Sequence, residues 1–151
     1  MQNRILPRQF DNDYRGHKLA LWLFGAVIAV KLGISLGTIF NGHEAAGSAD
    51  GIPLDTFTPA GAQAVVSLFA IWGIAQLVIC LIGILALVRY RAMVPLLFAL
   101  LLLEYLGKKL SLIFLPIAKT GSPPGSIINL VLLGAMIIGL ALSLQSRTQS
   151  E

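Results

Sequence analysis

The segment "PAGAQAVVSLFAIWGIAQLVICLIGILALV", Pro59 to Val88, contains no charged residue. A helix needs about 20 predominantly apolar residues to cross the roughly 30 Å hydrocarbon core of a bilayer, so this segment is long enough to span it. Three further apolar runs, at 19–40, 92–117 and 126–144, are of comparable length. The sequence therefore predicts four transmembrane helices, one for each run.

The composition agrees with a membrane protein. Of the 151 residues, 56% are hydrophobic and 12% are charged, and the mean hydropathy is +0.82; these values lie outside the range of soluble domains. The short connections favour antiparallel neighbours. The predicted fold class is thus all-α, an antiparallel four-helix transmembrane bundle over 19–144 with an irregular outer loop at 41–58. A flexible segment, 1–18, and a tail, 145–151, flank it.

The charges predict the orientation of the chain. The formal net charge is +4, and seven basic residues fall at one side of a chain that crosses four times: Arg4, Arg8, Arg15, Lys18, Arg89, Arg91 and Arg147. The other side has Lys119 and the acidic residues Glu44, Asp50 and Asp55. Basic connections stay in the cytoplasm, so we expect both termini there, in a bacterial inner membrane. The positive charge sets topology, and we expect no nucleic-acid partner.

Polar residues interrupt the apolar runs at a common depth. Each of three lies 13 positions from a basic residue at the predicted inner end of its helix: Lys31 from Lys18, Gln76 from Arg89 and Glu104 from Arg91. At ~1.5 Å per residue, all three lie about 20 Å above those inner charges. Lys108 and Asn129 lie higher, near the outer boundary. We predict one polar layer from Lys31, Gln76 and Glu104, with Lys108 and Asn129 above it.

These five residues are the predicted ligand-binding site. Glu104 and Lys108 share a helix face at i and i+4, and Lys31, Glu104 and Lys108 together carry a formal charge of +1 if all are ionised. A charge near the bilayer centre costs ~2.5–3.5 kcal/mol on insertion scales, so ionisable residues there are candidates for function. A bound anion would compensate the excess charge. Alternatively, one lysine is neutral and exchanges protons, or the polar residues only hold the helices in register.

Three residues point away from this layer and form a predicted interface. Gly33 and Gly37 make a GxxxG pair on the face opposite Lys31, and such pairs allow close helix packing. That packing could be within the chain or with another copy. Lys109 is rotated about 140° from Glu104, toward head groups or a partner.

Motifs for catalysis or metal binding are missing from the sequence. It has two histidines, His17 and His43, neither with a second ligand at metal-site spacing. We find no zinc-protease, P-loop, dinucleotide-binding or nucleophile-elbow pattern. We therefore expect no catalytic residue, no metal and no cofactor.

Two functions fit these observations. The first is a non-enzymatic membrane protein whose charged site binds, and moves, a small anionic or amphiphilic ligand such as a lipid head group or a carboxylate. Transport through so small a bundle implies a homo-oligomer. The alternative is an accessory or assembly subunit of a larger membrane complex, in which the charged layer is helix-packing glue. Membrane lipids are expected partners in both.

Overall fold

The structure, a computed structural model, describes residue 5 and residues 11–121 and 123–145. Of the predicted tail 145–151, only residue 145 is among them. Arg4, Arg8 and Arg147, which support the predicted orientation, also lie outside the described residues. Within the described ranges the regular structure is entirely helical.

Four long helices form the protein: α1, Lys18–Phe40; α2, Pro59–Arg89; α3, Val94–Phe114; and α4, Pro124–Leu144. Local signals explain where they begin. The Thr58 hydroxyl accepts a hydrogen bond from the Gly61 amide at the start of α2, and Pro59 follows it in the first turn, where a missing N–H costs nothing. α3 ends at Phe114, two residues before Pro116, because a residue that precedes proline is disfavoured in helical geometry.

Three of the four helices, α1, α2 and α4, are long and apolar enough to cross a membrane. These three indicate a membrane-embedded protein. α3 spans 21 residues, a comparable length, but it carries Glu104, Lys108 and Lys109. For α3 to be the fourth transmembrane helix, these three charged side chains need partners within the protein or access to the head groups.

α1 and α2 are antiparallel, since Gly25 lies beside Leu87 near one end and Gly42 lies beside Val66 near the other. They approach closely at Gly73, whose carbonyl accepts a 2.7 Å hydrogen bond from the Ser35 hydroxyl. We call the end of the bundle near Lys18 the terminal end, and the end near Phe40 the loop end.

The main core fills the terminal half of the bundle. Phe24 of α1 and Phe98 of α3 are fully buried and meet edge to face, with ring centroids 5.0 Å apart. Met136 and Gly139 of α4 are buried alongside, where the ring of Phe98 fills the space a Gly139 side chain would need. This apolar core fixes the rotation of α3 relative to α1.

The segment before α1 packs beneath this core. The His17 amide donates to the Leu142 carbonyl of α4 at 3.2 Å, and the Ala92 amide donates to the Asp11 carbonyl at 3.3 Å. Tyr14 is partly buried and packs against the main core. Two backbone hydrogen bonds thus join residues 11–17 to the terminal end, and the flexibility expected of this lead stays a prediction.

The loop between α1 and α2 also differs from its prediction. It was expected to be irregular with no core, but it forms helical turns at Gly42–Glu44, Ala45–Ala49 and Leu54–Thr56. Ala46, Ile52 and Leu54 bury a small apolar cluster against α2. The loop also closes over the α3–α4 connection, where the Thr120 amide donates to the Gly51 carbonyl at 2.8 Å.

Candidate functional site

Glu104 is the centre of a charged cluster contributed by three helices. Its Oε2 lies 3.1 Å from Nζ of Lys31 on α1. Its Oε1 accepts a 2.6 Å hydrogen bond from Nε2 of Gln76 on α2 and pairs with Nζ of Lys108, one turn along α3. We define the charged cluster as Lys31, Gln76, Glu104 and Lys108. Four of the five predicted ligand-binding residues are thus brought together.

Exposure is graded across the cluster. The side chains of Lys31 and Glu104 are 13% and 20% exposed, whereas that of Lys108 is 40% exposed. Gln76 is buried. Lys108 is therefore the member of the cluster that an incoming ligand can reach, while Lys31 and Gln76 support Glu104 from the inside.

Neighbouring polar groups do not join the cluster. The hydroxyl of Ser35 donates to the Gly73 carbonyl, and that of Thr38 donates to the Ile34 carbonyl one turn back on α1, at 2.7 Å. Both hydroxyls therefore donate to backbone carbonyls and make no hydrogen bond to the cluster. The cluster consequently contains two ammonium groups and one carboxylate, a formal charge of +1.

Trp72 extends the cluster toward the loop end. Nζ of Lys108 lies 4.3 Å from the centroid of the Trp72 ring, a distance at which a cation is attracted to the electron-rich face of an indole. Trp72 was not among the predicted site residues. Its position four residues before Gln76, and hence on the same face of α2, was the signal that could have found it.

A cavity of about 420 Å³ opens at the loop end, and Trp72 is part of its wall. We call it the loop-end cavity. Its other walls are the last turns of α1, the loop turns at Gly42–Glu44 and Ala45–Ala49, and the first turns of α4. Asn129, the fifth predicted ligand-binding residue, lines this cavity and is exposed. The structure therefore places Asn129 in the cavity wall, with no recorded contact to the charged cluster.

None of the three predicted interface residues contacts the cluster in the structure: Gly33 and Lys109 are exposed, and Gly37 lines the loop-end cavity. A side chain added at Gly33 or Gly37 would have no described atom within 4 Å, so neither glycine packs tightly against the described part of the chain. The described part of the chain therefore shows no close packing of this pair within the chain, which was one of its two predicted roles. Lys109 is exposed, with its Nζ 5.8 Å from the Tyr105 ring centroid.

The described residues bring no three His, Cys, Asp or Glu side chains together in a way that could hold a metal ion. Cys80, the single cysteine of the chain, is fully buried in the main core. The sequence-based expectation of no metal and no cofactor stays a prediction.

Comparisons of the chain with protein-family models, with curated proteins and with solved structures give no match. The charged cluster and the cavity beside it are therefore the features from which a function can be inferred.

Proposed function

We propose that this protein is a four-helix membrane protein that binds, and moves, a small anionic or amphiphilic ligand at the charged cluster. The ligand would be a lipid head group or a carboxylate, and the protein would catalyse no reaction. One observation carries the proposal: Lys31 and Lys108 share a single carboxylate, Glu104. In a low-dielectric interior an uncompensated positive charge is costly, and a bound anion would neutralise it.

The pairing of Glu104 also supports α3 as the fourth transmembrane helix. An intramembrane charge is tolerated when it faces the bundle interior and has a partner. Glu104 and Lys108 meet both conditions, while Lys109 lies close enough to the loop end to extend toward head groups. The three charged residues of α3 are thus compatible with a membrane-spanning helix.

The orientation follows from the same arrangement. Lys18, Arg89 and Arg91 gather at the terminal end because α1 and α2 are antiparallel, whereas Glu44, Asp50 and Asp55 lie at the loop end. By the positive-inside rule the terminal end is cytoplasmic, with both termini inside and the loop-end cavity outside, in a bacterial inner membrane.

Lys108 is the proposed contact for the ligand. An ammonium group has three donors; that of Lys108 pairs with Glu104 and lies on the Trp72 ring, and the carboxylate of Asp50 attracts it from the loop without a direct contact. Its partial exposure leaves room for an anionic oxygen to approach without displacing Glu104. Movement across the membrane would require a homo-oligomer, since the terminal half of this chain is filled by its own core.

The test is native mass spectrometry of protein extracted gently from its own membrane, followed by titration with phosphatidylglycerol in mixed micelles. We expect a retained anionic lipid or metabolite, lost in the Lys108→Gln and Lys31→Gln variants. Lys109→Gln is the matched control, because it removes the same charge from the adjacent exposed position of α3. Equal retention in all three variants would overturn the proposal.

A second function, an accessory or assembly subunit of a larger membrane complex, is favoured by one observation. Gly33 and Gly37 have the spacing of a helix-packing pair; Gly33 is exposed with no described atom near an added side chain, whereas Gly37 borders the loop-end cavity. A helix from another protein could occupy that face. Gly33→Leu would then release a stoichiometric partner without changing the melting temperature, whereas Gly107→Leu, at another uncovered glycine on α3, would retain it. Retention of the partner in both variants would exclude this face as the contact, and the lack of any stoichiometric partner for the unmodified protein would count against the role.

A further inference from the structure

The loop-end cavity has the dimensions of a small-molecule site. Its volume of about 420 Å³ falls in the range of roughly 300–1,000 Å³ that ligand pockets occupy. Apolar and aromatic residues make up much of its wall, with a few polar groups among them, as is usual in such pockets. Its charge therefore indicates which class of ligand it would take.

The charged side chains that line the cavity are both acidic. Glu44 and Asp50 line it, and no Lys, Arg or His is among the described lining residues. The two carboxylates approach from one wall, the loop, with formal charge −2. The ammonium of Lys108, which lies on Trp72 and is attracted by Asp50, offsets part of this charge. The remaining negative charge favours a cation over an anion in this space.

Asp50 is held in position by tight packing against α4. A Cβ at Gly125, in the first turn of α4, would be 2.9 Å from Oδ1 of Asp50 and 2.7 Å from the Ala49 carbonyl. Only glycine allows this approach, and the positive end of the helix dipole favours the carboxylate there. Glu44 is oriented too, because its Oε2 accepts a 2.8 Å hydrogen bond from the Ser48 hydroxyl. The acidic wall is therefore built in advance of any ligand.

Aromatic rings form the part of the wall contributed by α2. Phe69 and Trp72 pack edge to face with centroids 6.1 Å apart, and both line the cavity. The ammonium of Lys108 lies against the Trp72 ring, so a cation fits there, and a ligand ammonium would displace Lys108 from that face or pack on the remaining aromatic surface. Carboxylates with an aromatic surface are the combination that recognises alkylammonium groups.

We propose that the loop-end cavity binds an organic ammonium group, as carried by a choline or ethanolamine head group or by a free amine. This inference rests on the cavity alone and does not depend on anion binding at the charged cluster. The acidic wall supplies the charge, and Phe69 and Trp72 supply the surface against which the methyl or methylene groups pack.

The test measures binding through the intrinsic fluorescence of Trp72, which lines the cavity. The chain has two tryptophans, and Trp22, which is 80% exposed, can be replaced by Trp22→Phe. Purified protein is titrated with choline and with benzyltrimethylammonium at constant ionic strength, and with the neutral choline isostere 3,3-dimethylbutan-1-ol. We expect a saturable change in Trp72 fluorescence with the two cations only. An equal response to the isostere, or no saturable response to either cation, would overturn the proposal.

Charge variants assign the binding to the cavity. The Glu44→Gln, Asp50→Asn double variant should weaken choline binding about tenfold, from the loss of two partly screened charge pairs. Asp55→Asn is the matched control, since it removes a carboxylate from the same loop outside the cavity wall. If Asp50→Asn unfolds the loop, Glu44→Gln alone should still weaken binding about threefold. The same affinity in these variants as in Asp55→Asn would refute the assignment.

Two further comparisons separate the sources of the ammonium group and the two proposals. If the natural occupant is a lipid head group, phosphatidylcholine nanodiscs should lower the apparent affinity for choline relative to phosphatidylglycerol nanodiscs; equal affinities indicate a free solute. Lys108→Gln should strengthen choline binding by removing a nearby positive charge, but weaken retention of the anionic ligand proposed above. Because Lys108→Gln is expected to change choline binding and anion retention in opposite directions, either proposal can be refuted while the other stands.

Discussion

The ammonium nitrogen of Lys31 lies 3.1 Å from Oε2 of Glu104, although 73 positions separate the two residues along the chain. The contact joins α1 to α3. These two helices also meet in the main core, nearer the terminal end, where Phe24 packs against Phe98. Because Gln76 and Lys108 converge on the same carboxylate, Glu104 links three helices through one group.

Removing the carboxylate should cost more than removing either ammonium. Glu104→Gln leaves Lys31 and Lys108 as neighbouring positive charges without a counter-ion, and we expect a loss of about 3 kcal/mol in the free energy of unfolding. Lys31→Gln should cost less, since Glu104 keeps Lys108 and Gln76. Unfolding in mixed micelles measures both. A melting temperature unchanged by Glu104→Gln, with ligand binding lost, would show that the cluster serves binding alone.

The Gln76 amide should contribute measurably to stability. Gln76→Leu removes a buried hydrogen bond to a charged acceptor and should lower the free energy of unfolding by about 1.5 kcal/mol. Gln63→Leu, at an exposed position on the same helix, is the control and should have little effect. Similar losses in the two variants would mean that the substitution acts through α2 itself and not through Glu104.

Gly73 should not tolerate a side chain. A Cβ there would lie 2.9 Å from Cγ1 of Ile39 and 3.1 Å from the Ser35 carbonyl, so α1 and α2 would have to move apart. We expect Gly73→Ala to destabilise by about 1–2 kcal/mol, as overpacking does. Gly33→Ala, with no described neighbour, should be neutral or gain up to ~1 kcal/mol in helix propensity. Thermal unfolding of both variants tests this, and equal stability would contradict the close crossing.

Tyr14 should make stability fall at high pH. Burial raises the pKa of its phenol from 10.0 to about 12, and no described group hydrogen-bonds the hydroxyl. Between these values the folded state keeps the proton that the unfolded state has lost, so the free energy of unfolding decreases as pH rises through this window. Tyr14→Phe should reduce that decrease and be neutral or stabilising near pH 7. Denaturation at about pH 9 and about pH 11 checks it; the same pH dependence in both proteins would exclude Tyr14 as the cause.

Much of the charged cluster could be anticipated because membrane-spanning helices are geometrically constrained. A fixed rise per residue places Lys31, Gln76 and Glu104 at one depth, and the cost of an unpaired charge favours their meeting. The spacing of four residues likewise put Lys108 on the face of Glu104. These are local regularities, and the structure brings the same four residues together.

Other features could not be anticipated because they depend on contacts between distant segments. The loop gains its small core only because Ala46, Ile52 and Leu54 meet the side of α2. Residues 11–17 are joined by backbone bonds to Leu142 and Ala92. Neither segment has a hydrophobic periodicity from which these contacts could be predicted.

The sequence by itself determined the apolar runs that become α1, α2 and α4, and the common depth of Lys31, Gln76 and Glu104, because both follow from composition and from the rise of a helix. Only the tertiary structure decided that Asn129 would line the loop-end cavity and that Lys108 would lie on Trp72. It also decided that Glu44 and Asp50 would form one acidic wall. The physical reason is that the relative rotation and separation of helices are set by close packing at positions such as Gly73, Gly125 and Gly139, where the missing side chain lets a distant neighbour approach.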